Sequence, residues 1–142
     1  EHPCSLTEGC DGDLLMLIEG HAVPTASPVR WVKGLLCSRD RGRSWQTRSI
    51  FGHRDFDFEE GHLVRLSDGR LATASRPWGL WVSSADEGFS WSEPKALLDF
   101  SAGLEGRPHP NACKKGDLLV TSDGTVVLLT CGGPGGKRTG AL

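Results

Sequence analysis

The feature that most constrains the fold is an eight-residue motif that occurs twice. Residues 38–45 read Ser-Arg-Asp-Arg-Gly-Arg-Ser-Trp, and residues 84–91 read Ser-Ala-Asp-Glu-Gly-Phe-Ser-Trp. Both copies fit S-x-D-x-G-x-S-W, and the second begins 46 residues after the first. Shared positions in the same order, tryptophan among them, indicate a repeated supersecondary unit. A period of about 40 to 50 residues is typical of one blade of a β-propeller.

Each motif predicts a tight hairpin turn. Aspartate accepts hydrogen bonds from backbone amides two or three residues further on, and serine does so more weakly. Glycine provides the positive φ that the turn requires. We expect the tryptophan, at the start of the outgoing strand, to pack over the turn and the neighbouring blade. The residues with this predicted structural role are Ser38, Asp40, Gly42 and Trp45, and Ser84, Asp86, Gly88 and Trp91. The functional alternative is that the aspartates are catalytic acids.

Three Asp-Gly pairs predict further hairpins, because Asp-Gly beside an apolar run is a strong hairpin signal. They are Asp11-Gly12, Asp68-Gly69 and Asp123-Gly124. No stretch shows sustained helical periodicity, and residues 94–100 come nearest to it. The predicted fold class is therefore all-β, with four-stranded antiparallel units. The predicted strands cover an ill-defined opening segment, 13–19, 31–38, 45–51, 62–67, 70–75, 80–84, a short segment after Trp91, 112–119 and 125–131.

The repeat divides the 142 residues into fewer than three blades of ~50 residues. The expected divisions are blade 1 at about 1–55, blade 2 at about 56–104, an incomplete blade 3 at about 105–131, and a loose tail at 132–142. Propellers usually contain about four to eight blades. We therefore expect a partial propeller that belongs to a larger ring, or one that closes by self-association through its open blade edges.

Composition excludes several function classes. A net charge of −2 argues against nucleic acid and anionic membranes as partners, and the apolar runs are strand-sized, so no membrane span is predicted. The histidines and the five cysteines lack metal-ligand spacing, so no metal or other cofactor is predicted. The cysteines are interpreted as free buried thiols, with a disulfide framework that pairs Cys4 with Cys10 as the alternative. The compartment stays open, with a secreted or periplasmic location slightly favoured.

The repeated motif is the Asp-box, also called the bacterial neuraminidase repeat. With the Asp-Gly strands and Trp-Ser-Glu-Pro at 91–94, residues 1–131 resemble the sialidase superfamily. The most specific stretch is Glu-Gly-His-Leu-Val-Arg-Leu-Ser-Asp-Gly-Arg-Leu at 60–71, followed by Ser75-Arg76. The resemblance implies a nominally six-bladed propeller and a glycoside hydrolase that cleaves or binds terminal sialic acid or a related acidic sugar.

The resemblance also implies roles for Glu60 and Arg76. In sialidases, a similarly placed glutamate activates a nucleophilic tyrosine, which avoids the repulsion that a carboxylate nucleophile would meet at this acidic sugar. A similarly placed arginine is one of three that bind the substrate carboxylate, because a guanidinium binds it bidentately and keeps its charge. We expect Glu60 to open one strand and Arg76 to close the next, at the same end of the channel. The alternatives are solvated carboxylates at Glu59 and Glu60, and an ion pair of Arg76 at a blade edge.

Further candidates for sugar binding are His62, Trp78 and His109. Trp78, Gly79 and Trp81 could form a sugar-stacking platform, and the alternative is tryptophan packing between blades. His109 lies between two prolines and is therefore rigidly presented. For both histidines the alternative is hydrogen bonding to backbone groups near the channel.

The chain departs from the sialidase pattern at several positions. It contains no tyrosine, and the place of the first-blade Arg-Ile-Pro motif reads Glu-His-Pro-Cys-Ser-Leu at 1–6. A Glu-x-Arg motif is replaced by Glu19-Gly20-His21. Asp55 and Asp57 lie in a suitable loop but match no acid/base position. Two functions therefore stay open: a sialidase-like hydrolase that is inactive as this isolated chain, and a non-catalytic Asp-box propeller that serves as a carbohydrate-binding or protein-interaction scaffold.

Overall fold

The computed structural model describes residues 2–21, 31–52, 57–76, 79–97 and 114–131. Every regular element in these segments is a β-strand, which confirms the all-β class. The strands are β1 (His2–Glu8), β2 (Leu14–His21), β3 (Trp31–Ser38), β4 (Gln46–Phe51), β5 (Glu59–Arg65), β6 (Leu71–Arg76), β7 (Leu80–Ser84), β8 (Lys95–Ala96), β9 (Lys114–Val120) and β10 (Val126–Cys131). Three residues named above, Asp55, Trp78 and His109, lie outside the described residues.

The strands form three antiparallel sheets in which strands consecutive in sequence are neighbours. Sheet 1 has the order β1-β2-β3-β4, sheet 2 has the order β5-β6-β7-β8, and β9 pairs with β10. Strand β5 contacts both β1 and β9, so the first strands of the three sheets lie side by side. The sheets themselves are open, since among the described residues each edge strand is hydrogen-bonded on one side only. The predicted strands are present with bounds that differ by at most three residues from those expected, and the weakly helical stretch 94–100 contains the short strand β8.

The main core lies between sheets 1 and 2. It is built from residues at alternate positions of four strands, which share one face of each strand. They are Leu15, Leu17, Leu35, Cys37, Leu63 and Leu71. A second cluster between sheet 2 and β9 contains Val64, Ala72, Ala74 and Leu118. Strands β5 and β6 are therefore covered on both faces, which explains the almost continuous burial along β6.

All three Asp-Gly turns have the same geometry. The glycine N–H donates to the carbonyl oxygen three residues earlier, over 3.2 Å at Gly12, 3.0 Å at Gly69 and 2.9 Å at Gly124. The three glycines have φ of 77°, 88° and 85°. This is a type I turn followed by a left-handed residue, a common three-residue hairpin connection.

The two Asp-boxes are hydrogen-bonded in the same way. In the first, Asp40 Oδ1 accepts from Ser38 Oγ and from the Ser44 amide, both over 2.8 Å, and Asp40 Oδ2 accepts from Ser44 Oγ over 2.6 Å. Ser38 Oγ in turn accepts from the Gly42 amide over 2.7 Å. Gly42 has φ of 85°, and the preceding Arg41 is also left-handed, with φ of 61°. The aspartate and the first serine thus bind the turn from inside.

The second box repeats these bonds and also contacts sheet 1. Asp86 accepts from Ser84 Oγ over 2.8 Å and from the Ser90 amide and hydroxyl over 2.9 and 2.6 Å. Ser49 Oγ of β4 donates to the Gly88 carbonyl over 2.5 Å, and Arg48 Nη1 donates to the Glu87 carbonyl over 3.0 Å. The second turn therefore connects the two sheets.

The two tryptophans pack differently. Trp45 Nε1 donates to the carbonyl of Gly42 in its own turn over 3.1 Å. Trp91 Nε1 donates to Ser49 Oγ over 3.1 Å, and its ring stacks on Phe51 at 4.2 Å between centroids. The expected packing on a neighbouring sheet thus occurs at Trp91, whose turn lies against sheet 1.

The cysteine interpretation is correct in part. None of Cys4, Cys10 and Cys37 forms a disulfide, so the proposed pairing of Cys4 with Cys10 is wrong. Cys37 is buried and its Sγ lies 2.9 Å from Arg48 Nη2. Cys10 is exposed, contrary to the expectation of buried thiols, because it lies in the first Asp-Gly turn.

A first prediction compares alanine substitutions at the two box glycines. Both have φ near 85°, so each substitution should cost about 1–2 kcal/mol of backbone energy. A Cβ at Gly88 would also lie 2.1 Å from Leu35 Cδ2, whereas the nearest atom to a Cβ at Gly42 is 3.7 Å away. Gly88→Ala should therefore cost a further ~1–3 kcal/mol through overpacking. Denaturant unfolding measures both losses, and equal losses would contradict the inferred contact with Leu35.

A second prediction concerns acid unfolding. Hydrogen bonds from the Ser44 and Ser90 hydroxyls, then from backbone amides, lower the pKa values of Asp40 and Asp86 from 3.8 to about 2. A carboxylate with a folded pKa below its unfolded pKa adds stability above the unfolded value, and that stability is lost as pH falls through the folded value. Wild type should therefore lose this contribution between about pH 4 and pH 2. Asp86→Asn should show a shallower decline of the unfolding free energy across that window, and an unchanged decline would contradict the assignment.

Candidate functional site

The candidate site lies where β5 begins and β6 ends. The strand register pairs Glu59 with Arg76 and Gly61 with Ser75, and it skips Glu60. Arg76 Nη2 donates to Glu59 Oε2, and Arg76 Nε lies 3.8 Å from Glu60 Oε2. The structure therefore brings Glu60 and Arg76 to the same end of the sheet, as expected. The direct ion pair, however, is made by Glu59, as in the alternative that placed Arg76 in an ion pair at a blade edge.

Glu60 has an unusual backbone conformation. Its φ is 33°, in the region that side chains other than glycine rarely adopt. In the described part of the chain, the other non-glycine residues with positive φ are Arg41 and Glu87, which belong to the Asp-box turns. Glu60 instead occupies a β-bulge within a strand. Bulges re-aim side chains and are common beside active sites, and such strain costs of the order of 1–3 kcal/mol.

A buried ion pair supports this bulge from sheet 1. Glu19 on β2 and Lys33 on β3 are opposite each other in the register, and Lys33 Nζ lies 3.2 Å from Glu19 Oε2. The same Glu19 oxygen accepts a hydrogen bond from the backbone amide of Glu60. The Lys33 side chain has no exposed surface and also donates to Cys4 Sγ over 3.4 Å. Glu19, Lys33 and Cys4 thus form a polar layer that extends from the main core to the start of β5.

Charge and burial fix the ionisation of Arg76 and of Cys4. Burial acts to lower the pKa of the Arg76 guanidinium, but the bond to Glu59 and the negative charges of Glu60 and Glu19 outweigh it, so the pKa is raised. Burial raises the pKa of the Cys4 thiol against the opposing effect of Lys33. Arg76 is therefore a permanent cation, and Cys4 is a neutral thiol rather than an activated nucleophile.

Some buried polar atoms near the site have no hydrogen-bond partner among the described residues. They are Thr73 Oγ1, Ser75 Oγ and Arg76 Nε. Thr73 and Ser75 are fully buried and share a face of β6 with Leu71 in the main core. A Cβ at Gly61 would lie 2.8 Å from the Ala74 carbonyl oxygen and 3.1 Å from Thr73 Oγ1. The close approach of β5 to β6 therefore requires glycine at this position.

Other sequence-based candidates lie away from this pair. His62 Nδ1 lies 2.6 Å from Asp117 Oδ1 on β9, and both side chains are partly exposed. Trp81 packs against the second core cluster, consistent with the packing alternative rather than a sugar platform. Asp57 accepts a hydrogen bond from the Trp31 amide over 3.1 Å, which connects the segment before β5 to sheet 1.

Sequence reasoning missed Lys33 and treated Glu19 only as a departure from a known pattern. A signal for both was present, because each residue is in phase with buried apolar residues at every second position. Glu19 follows Leu15 and Leu17, and Lys33 precedes Leu35 and Cys37. Charged residues in phase with a buried face of a strand require a partner across the sheet.

The described segments lack the features of two other kinds of site, a metal centre and a membrane-spanning helix. They contain no cluster of three or more histidine, cysteine, aspartate or glutamate side chains that could hold a metal ion. No helix in them offers the apolar length that a bilayer crossing requires.

Comparison with known proteins shows a similarity to a solved structure. Neither a protein-family model nor a curated protein matches the chain. The chain resembles part of the crystal structure of a protein of unknown function from Dyadobacter fermentans DSM 18053, with a TM-score of 0.63 and 21% sequence identity. The alignment covers 87% of this chain and 32% of that protein. At this identity the similarity concerns the fold alone, and the chain spans about a third of the length of the solved protein.

A third prediction follows from the unpartnered hydroxyl of Thr73. Thr73→Val keeps the shape and removes a buried polar group without a partner, so stability should rise by about 1 kcal/mol. The control is Ser84→Ala, which removes a hydroxyl bonded to Gly88 and Asp86 and should lower stability by about 1–2 kcal/mol. Thermal and denaturant unfolding measure both. A destabilised Thr73→Val variant would contradict the absence of a partner for this hydroxyl.

Proposed function

We propose that this chain is part of a sialidase-like Asp-box β-propeller that binds terminal sialic acid or a related acidic sugar. The sugar would lie at the end of a channel lined by the first strands of the blades. Two features support this architecture: sheets 1 and 2 each have four antiparallel strands, and β1, β5 and β9 lie side by side. The second Asp-box also connects sheet 2 to sheet 1 through its contacts with β4.

The observation that carries the proposal is the proximity of Arg76 to Glu60, where β5 begins and β6 ends. Glu59 holds one terminal nitrogen of the guanidinium and so orients the group, while Nε has no hydrogen-bond partner among the described residues. A ligand carboxylate could therefore gain a charge-assisted hydrogen bond from the remaining donors. The raised pKa of Arg76 keeps this donor charged throughout the pH range in which proteins fold.

The role proposed for Glu60 is that of a base or an acceptor beside the sugar. Its strained bulge presents a carboxylate 3.8 Å from Nε of Arg76. A carboxylate in this position could accept a proton from a nucleophilic hydroxyl or from a sugar hydroxyl. Since the chain contains no tyrosine, the nucleophile of a sialidase would come from residues beyond these 142. We therefore expect sugar binding by this chain, and turnover only in a longer protein that contains it.

The second candidate is a non-catalytic Asp-box propeller that binds carbohydrate or protein. Two observations favour it: the absence of tyrosine and the existing ion pair of Arg76 with Glu59. In such a protein, the Asp-boxes would stabilise the blades, and the Glu60–Arg76 pair would serve recognition alone.

A fourth prediction tests the binding site by titration of the chain with the methyl glycoside of N-acetylneuraminic acid, followed by nuclear magnetic resonance. Arg76→Lys keeps the charge but removes the planar fork, so affinity should fall at least about tenfold. The matched control is Arg70→Lys, because Arg70 is paired with Asp68 in an exposed turn at the other end of the strands. An equal loss in both variants, or equal binding of methyl galactoside, would remove Arg76 from the proposed site.

Hydrolysis separates the two candidate functions. The gene product that contains this chain in its natural reading frame is assayed with a fluorogenic sialoside, alongside Glu60→Gln and Arg76→Ala. A sialidase should lose at least ~100-fold in kcat/KM in each variant. Full activity in both variants would remove the site assignment. Wild-type binding without hydrolysis would favour the scaffold.

A further inference from the structure

We propose that Lys33 and Glu19 are positioning residues that hold Glu60 in the bulge beside Arg76. The inference rests on the proposed function only in taking Glu60 as a group that meets the sugar. Neither Lys33 nor Glu19 would contact the ligand. They would act through the backbone of Glu60, across the interface between sheets 1 and 2.

The geometric basis is one carboxylate oxygen shared between two sheets. Glu19 Oε2 accepts from Lys33 Nζ over 3.2 Å within sheet 1, and it accepts from the Glu60 amide of sheet 2. The side chain of Lys33 is fully buried and that of Glu19 is 11% exposed, so water competes little for these bonds. The orientation of the Glu60 backbone is therefore tied to an ion pair in the neighbouring sheet.

The stability of the fold does not by itself explain why an ion pair occupies these two positions. Glu19 and Lys33 lie on the strand faces that bury Leu17 and Leu35, where two apolar side chains would continue the core. Replacing a buried ion pair by well-packed apolar residues is often neutral or stabilising. What an apolar pair does not provide is an acceptor for the Glu60 N–H, and a buried N–H without an acceptor is costly. The ion pair therefore differs from an apolar pair in that it can hold the backbone conformation of Glu60.

The requirement for lysine follows from the charges around Glu19. Cys4 contributes a neutral thiol from β1, and the backbone of His2 lies opposite Glu19 in the register. Strand β5 brings the carboxylates of Glu59 and Glu60 to this end of the interface, and β6 brings Arg76, which Glu59 already pairs. Lys33 is thus the cation in direct contact with Glu19 among the described residues. Without it, Glu19 would be a buried carboxylate next to two others.

The proposed effect of the Glu19 acceptor is confined to the bulge at Glu60. With the Glu19 acceptor in place, the Glu60 amide points into the interface and its φ is held at 33°. Without an acceptor, nothing offsets the strain of this conformation, and the bulge should relax towards ordinary β geometry. The Glu60 carboxylate would then leave the position 3.8 Å from Arg76 Nε, while the core on either side stays packed.

A fifth prediction compares two double variants that both remove the buried charges. Glu19→Gln with Lys33→Met retains a side-chain oxygen as acceptor for the Glu60 amide. Glu19→Leu with Lys33→Met retains none. Both variants should remain folded, because each removes both members of the ion pair and leaves no unpaired buried charge. The Glu60 amide should nevertheless exchange with solvent at least about tenfold faster in the Glu19→Leu variant, since one hydrogen bond is lost.

The readouts separate positioning from a structural role. Hydrogen exchange and the chemical shift of the Glu60 amide report its conformation directly, even if no sugar binds to the wild-type chain. Where the wild type binds the sialoside, affinity should fall in the Glu19→Leu variant and recover in the Glu19→Gln variant. Equal protection of the Glu60 amide in both variants would overturn the proposal. Loss of the folded spectrum in the Glu19→Gln variant would also overturn it, because the charges would then be needed by the fold itself.

Discussion

The buried pair of Lys33 and Glu19 is the interaction on which the candidate site depends. A fully buried lysine is stable only beside an opposite charge, so the pair fixes how β2 and β3 lie together at this end of sheet 1. The carboxylate that neutralises the lysine also binds the Glu60 amide of the neighbouring sheet. The Glu19 carboxylate therefore connects a buried lysine of sheet 1 to the strained residue Glu60 of sheet 2.

The interface between sheets 1 and 2 has two parts that are held together by different kinds of contact. Where β4 meets the second Asp-box, Ser49 and Arg48 bind the carbonyl groups of the turn, and Trp91 stacks on Phe51. These contacts satisfy backbone groups and bury aromatic surface, so they stabilise the association of the sheets. At the start of β5, three carboxylates meet two cations, and buried hydroxyl groups have no hydrogen-bond partner in the described segments. Backbone strain and buried polar groups without hydrogen-bond partners are typical of functional sites.

Much of the fold could be predicted because its signals are local. An Asp-Gly pair needs only a left-handed glycine and a nearby carbonyl to form its turn, as the φ of 88° at Gly69 illustrates. Alternating apolar residues at Leu15 and Leu17 likewise indicate a strand and its buried face. For the site, the meeting of Glu60 and Arg76 followed from hairpin register alone. The ion pair with Glu59, the bulge and the link to Glu19 did not, because they depend on a one-residue shift in register and on contacts between sheets.

The sequence by itself determined the all-β class, the positions of the turns and the strands between them, since each depends on interactions among residues close in the chain. It also determined that Glu19 and Lys33 would lie on buried strand faces, through their spacing from Leu17 and Leu35. Only the tertiary structure decided that the two side chains meet each other and that Glu19 also binds the Glu60 amide 41 residues away. The physical reason is that a buried charge specifies the need for a partner but not its identity, which is fixed by the register of β2 with β3 and by the packing of sheet 1 against sheet 2.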